Sequence, residues 1–198
     1  MREKRLGHAA LWLAVLGAWF SLIFYGADWI TAHSPRHVVP HFSWELRLPF
    51  VPWLALVYLS MNILLPTAFL ALPTRREIRT LTLALCADVL IAGIGFILYP
   101  AQLAFAAAHD AGTWTAVFQF ADRVNGDYNL VPSLHIALAV TSVSACARRA
   151  KPWWWLWAVA IAVSTLLTHQ HHVIDVASGW LLGIAGGRLY RGMNQSQL

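Results

Sequence analysis

The chain has 198 residues, 59% of them hydrophobic and only 12% Asp, Glu, Lys or Arg, with a formal net charge of +5. A soluble domain carries about 25% charged residues, so there are too few here for a polar shell, and the same apolarity excludes disorder. Basic charge in so apolar a chain marks membrane orientation and gives no reason to expect a nucleic-acid partner.

A membrane helix needs about 20 mostly apolar residues, and six stretches qualify. The first is 6–28. It follows the basic start Arg2, Lys4 and Arg5 and is too long for a signal-peptide core. The second is 48–74, with Pro49 and Pro52 near its start. The third, 80–99, contains Asp88, for which an interhelical hydrogen bond to Asn62 or to a Ser or Thr of a neighbouring span is the plain expectation. The fourth is 128–147. The fifth, 152–170, opens on Trp153, Trp154, Trp155 and Trp157, an aromatic belt. The sixth, 172–190, repeats Gly179, Gly183 and Gly187 as a small-residue packing face. Two connections, 33–47 and 101–127, are long enough for short interfacial helices, and the first carries His33, His37 and His41. Cys86 and Cys146 lie in apolar runs and are expected as free thiols. The expected fold is all-α, a single six-helix membrane domain over residues 1–198.

Six spans place both termini on one side. Eleven of the fourteen cations fall there: Arg2, Lys4, Arg5, Arg75, Arg76, Arg79, Arg148, Arg149, Lys151, Arg188 and Arg191. Arg36, Arg47 and Arg123 fall on the other side. The positive-inside rule makes the first side cytoplasmic. Against Glu3 and Glu77 it carries +9; the outer side carries −3 and Asp88 the last −1.

Polar chemistry concentrates on the outer side. His171 and Asp175 are four residues apart at the start of the sixth stretch, so they share a helix face. A carboxylate there fixes the tautomer of the imidazole and raises the basicity of its other nitrogen. The plainer alternative is a histidine that caps a helix. Asn129-Leu130-Val131-Pro132-Ser133-Leu134-His135 is the second constellation. Proline suits a first helical turn, which would leave the amides of Ser133, Leu134 and His135 unpaired and attractive to phosphate. The two helix starts would then converge on one oxyanion.

Pro132-Ser133-Leu134-His135 and the segment from Ser164 to Asp175 resemble the second and third motifs of the type-2 phosphatidic acid phosphatase superfamily. Ser164, His171 and Asp175 keep the third motif's spacing. Leu134, the Gln170-His171-His172-Val173-Ile174-Asp175 run, and Leu48-Pro49-Phe50-Val51-Pro52-Trp53 with Tyr58 are more similar to its inositol-phosphorylceramide-synthase-like branch, over about residues 48–187. The resemblance implies a metal-independent lipid-phosphate phosphatase or phosphotransferase with no cofactor. His171 would be the nucleophile that forms a phosphohistidine, Asp175 its orienting partner and His135 the general acid. It also implies a bacterial-type inner (plasma) membrane, a site facing the periplasm or cell exterior, and a lipid phosphate as substrate. Two departures stand out. Thr165 occupies the position of the motif arginine, and Gln102 lies near where a basic residue is expected. Ser133, Asn129 and Arg123 are the candidate phosphate-binding residues, with Arg36 and Arg47 as outside candidates. His169, His171, His172 and Asp175 also suit a metal by type, but adjacent His171 and His172 would project about 100° apart on a helix. A non-catalytic membrane protein, either an inactive lipid-binding relative or a small transporter using Asp88, is the rival from another class.

Overall fold

Thr74 shows how local chemistry sets the elements. Its hydroxyl accepts from the Glu77 amide while the Glu77 carboxylate accepts from the Thr74 amide, a capping box. Helix α4 (Arg75–Leu98) therefore begins five residues before the expected 80. In the computed structural model, residues 2–105, 111–126, 128–146 and 152–195 are described. Among these, the regular structure is helical apart from an isolated bridge between Val38 and Ala101. The other helices are α1 (Arg2–Ala32), α2 (Ala55–Leu59), α3 (Met61–Ala71), α5 (Thr115–Asn125), α6 (Leu134–Cys146), α7 (Trp153–Leu167) and α8 (Val173–Gln195).

Each of the six expected stretches contains helix, with shifted boundaries. The second starts at Pro52, not 48, because Pro49 and Pro52 lack amide donors, and it continues through α2 and α3. Helix α6 starts at Leu134, two residues after Pro132, with Ser133 as its cap residue. Its expected end, Ala147, lies outside the described residues, as do Asp110, Asp127, Arg148, Arg149 and Lys151 of the charge count. The connection 101–127 holds the amphipathic α5, and 33–47 holds the short turn Glu45–Arg47.

Among the described residues, three helical stretches are long and apolar enough to cross a membrane, Arg5–Ala32, Pro52–Ala71 and Arg75–Leu98, while α6 and α7 are apolar but shorter. Helix α6 is the centre of the bundle. Every residue in it except His135 is buried, against α3, α4, α7 and α8. Helix α8 approaches it along the glycine face. A Cβ at Gly179 would collide with the Ser133 carbonyl, one at Gly183 would lie 2.6 Å from Val140 Cβ, and one at Gly187 2.5 Å from Ser144 Cβ. Asp88 accepts a hydrogen bond from Thr141 of α6 at 2.6 Å, so its buried carboxylate has an interhelical partner. Asn62 instead caps its own turn through Leu59 O. Cys86 and Cys146 form no disulfide.

The two ends of the bundle differ in character. At one end, Arg5 donates to Leu72 O, His8 lies 3.2 Å from Arg75 O, and Arg76 donates to Met193 O, bringing the start of α1 to the end of α8. At the other end, the starts of α6 and α8 meet the long connections. Val38 N–H donates to Pro100 O and Gln102 N–H to Val38 O, which joins those connections to each other. The histidine constellations lie at this second end.

Candidate active site

The turn between α7 and α8 is shaped by its own backbone. Gln170 and His171 both donate their amides to Thr165 O, and Thr168 folds its hydroxyl onto Ser164 O. His169 completes the reversal with φ 56°, a left-handed conformation uncommon outside glycine. Its ring is stacked on Phe105 at 4.0 Å and sits 3.2 Å from Leu48 O.

This turn delivers His171, which precedes α8 by two residues and does not lie within its first turn. His171 is 1% exposed and Asp175 is fully buried. His171 Nδ1 lies 3.3 Å from Asp175 Oδ2, at the long end for such a bond, as is common before substrate tightens a site. A carboxylate only accepts, so Nδ1 carries the proton and Nε2 keeps its lone pair. Nε2 is buried and has no hydrogen-bond partner. That is the form of imidazole a nucleophile requires.

Across from it, with ring centroids 6.0 Å apart, stands His135 in the first turn of α6. A chain of hydrogen bonds fixes this second ring. Gln170 Nε2 donates to Asp122 Oδ1 (3.1 Å), Asn125 Nδ2 to Gln170 Oε1 (2.9 Å), and Tyr58 OH to Asn125 Oδ1 (2.9 Å). The Tyr58 proton is thus committed, so the contact between its oxygen and His135 Nδ1 at 3.4 Å has the histidine donating. His135 Nε2 is left to exchange a proton at the site. Tyr58 and His135 also pack ring against ring at 4.4 Å. Sequence reasoning named His135 but did not predict this support; its partners lie 45 to 77 residues apart, and no local spacing signals them.

The expected phosphate cradle is only partly present. The Ser133 amide donates to Asp175 O at 3.0 Å, since the Gly179 contact presses the two helix starts together. The His172 amide is taken by Asp175 Oδ2 and the Val173 amide by Glu45 Oε2. The α8 start is therefore capped by carboxylates. The buried hydroxyl of Ser133 has no partner, and neither has Asp175 Oδ1. An unpaired buried polar group costs about 1–3 kcal/mol, and Ser133 Oγ, Asp175 Oδ1 and His171 Nε2 are three such atoms at one helix junction. Asn129 Nδ2 donates to Phe24 O at 2.7 Å, leaving its acceptor Oδ1 as the unpartnered atom. Arg123 is exposed, with Nε on Gln119 O, and Arg36 and Arg47 are exposed as well. Thr165 is buried with its hydroxyl on Ala162 O. Gln102 pairs through its backbone with Val38. Among the described residues, no three His, Cys, Asp or Glu side chains gather as a metal-binding group.

A cavity of about 220 Å³ reaches His135 from the side, between α1 (Leu13, Phe20), α3 (Met61, Leu65) and α6 (Leu138). His135 is the one residue of α6 that is not buried, and it opens onto this apolar space.

Residues 41–189 match the family model described as the PAP2 superfamily, three-quarters of the chain. No curated protein and no solved structure matches.

Proposed function

We propose that this chain, which belongs to the PAP2 superfamily, is an integral-membrane lipid-phosphate phosphatase or phosphotransferase working through a phosphohistidine. Membership in the family points to phosphatase or phosphotransferase activity. The observation that carries the finer reading is the buried His171, its Nδ1 turned to Asp175 and its Nε2 unpartnered, facing His135 at 6.0 Å.

In this reading, His171 Nε2 attacks phosphorus. The ester P–O bond breaks with its electron pair staying on the leaving oxygen, and His135 passes to that oxygen a second proton, carried on Nε2, which the acidic phosphate ester brings on binding. Water or a second alcohol then attacks the phosphohistidine, losing its proton to His135. The P–N bond breaks and returns neutral His171. Phosphoryl transfer asks mainly for positioning and charge stabilisation. The Ser133 hydroxyl and the remaining first-turn amides of α6 supply part of that, with Arg123, exposed on α5, as the candidate cation. Asn129 spends its donor on α1, so we assign it a structural part.

The apolar cavity beside His135 supports a leaving group with a hydrocarbon chain, such as diacylglycerol or a polyprenol. The sequence pattern supports six spans with the basic end cytoplasmic, which puts the histidines at the extracytoplasmic face. The residues around 48–58 and 170–175 support a place near the inositol-phosphorylceramide-synthase-like branch.

The test is turnover of a lipid-phosphate panel by purified protein, with and without chelator. Phosphate release or transfer to an added alcohol should persist in chelator and fall at least about 10³-fold in His171→Ala and His135→Ala. No turnover of any lipid, or full activity in His171→Ala, contradicts the proposal. Loss of activity in chelator would return the site to metal chemistry.

A further inference from the structure

Glu45 is fully buried, yet it comes from the connection after α1, 127 residues from its main partner. Its Oε2 accepts from His172 Nδ1 at 2.7 Å and from the Val173 amide at 3.2 Å. Its Oε1 accepts from the Phe42 amide at 3.2 Å. The other ring nitrogen of His172, Nε2, accepts from the Ala104 amide at 3.0 Å. An acceptor at Nε2 requires the proton on Nδ1, so His172 is held neutral, in one tautomer, with both nitrogens occupied.

The start of α8 poses a capping problem. A good N-cap residue offers a side-chain oxygen to the first amides, and His172 has no oxygen to offer. Asp175, at the third helical position, reaches back to the His172 amide at 2.8 Å, which is half of a capping box. The Val173 amide would remain, and Asp175 Oδ1 has no partner. Without another acceptor, the cap would draw on the same carboxylate that orients His171. Glu45 removes that competition by taking both the Val173 amide and the His172 ring.

We propose that Glu45 is a positioning residue, acting through His172 and the α8 cap to keep Asp175 on His171. The inference rests on the reading of His171 as nucleophile. It adds a second carboxylate–histidine pair, one residue along the chain, whose work is to hold the first in register.

The test uses the full chain in detergent with two readouts. One is steady-state kinetics on the lipid phosphate the wild type turns over best. The other is histidine-selective ¹⁵N NMR, with the His171 signal assigned through His171→Ala. Glu45→Ala should lower kcat about 10–100-fold with KM within about twofold, and shift His171 from the Nδ1–H form to a mixture of tautomers. Glu45→Gln keeps the volume and one acceptor, and should lie between the two. A folded Glu45→Ala with kcat within about twofold of wild type, a loss carried by KM alone, or an unchanged tautomer overturns the proposal. Should Glu45→Ala fail to fold, the same criteria apply to Glu45→Gln. If the wild type turns over no lipid phosphate, the catalytic reading falls, and the tautomer comparison still decides the role of Glu45.

Discussion

His135 illustrates how much of a site depends on atoms that never touch substrate. Its Nδ1 proton is fixed because the chain from Asp122 through Gln170, Asn125 and Tyr58 leaves only an acceptor facing it, and Nε2 is left to take up and give the mobile proton. Tyr58→Phe deletes that acceptor while preserving the ring that packs on His135. We expect kcat to fall about 10–100-fold, with KM for the lipid phosphate little changed; kinetics that match wild type would remove Tyr58 from the site. His171, Asp175, Ser133 and His135 were legible in the sequence because their chemistry lies in two short runs. Glu45 and Asn125 were not, and Tyr58 and Gln170 stood out only as family-like residues without their partners, because these partnerships span from 45 to 128 residues and arise only when the connections fold back. Asn129 and Arg123 were legible as polar residues near the right helix, but their side-chain directions were not. One turns to Phe24 and the other stays exposed.

At the scale of elements, the approach of α8 to α6 sets the distance between the histidines. The glycine face was visible in the sequence as a repeat, and its partner was not. At Gly179 it is the backbone of Ser133, two residues before His135. Gly179→Ala puts a methyl group into that carbonyl, and overpacking of this kind costs about 1–3 kcal/mol. Gly7 has open space around it and lies away from the cavity beside His135. Gly179→Ala should therefore lower both thermal stability and turnover, while Gly7→Ala leaves both near wild type. Equal effects at the two positions, read by thermal unfolding and lipid-phosphate turnover, would show that close packing does not set the site. Helix existence followed from apolar runs, but boundaries followed from caps and prolines. The Thr74–Glu77 capping box joins the last residue of the expected second span to the expected connection, and it extends α4 back to Arg75.

At the scale of the whole molecule, the net charge of +5 resolves into two unlike ends. Arg5, Arg75, Arg76 and the end of α8 gather at one, while the buried histidines and carboxylates gather at the other. The proposed orientation makes a specific demand on accessibility. A cysteine placed at Ser34, in a background where Cys86 and Cys146 are replaced, should react with a membrane-impermeant thiol reagent in intact cells. One placed at Gln195 should react only after lysis. The reverse pattern would invert the protein and put its site on the cytoplasmic face.

The central claim is that His171 carries the phosphoryl group between donor and acceptor. It is tested most directly by mixing purified protein with a lipid phosphate labelled in the phosphate, quenching in base within one turnover, and mapping the label by mass spectrometry. The account predicts a base-stable, acid-labile phosphohistidine at residue 171, absent from His171→Ala and accumulating when the acceptor alcohol is withheld. Rapid product formation with residue 171 unmodified at every quench time would contradict it.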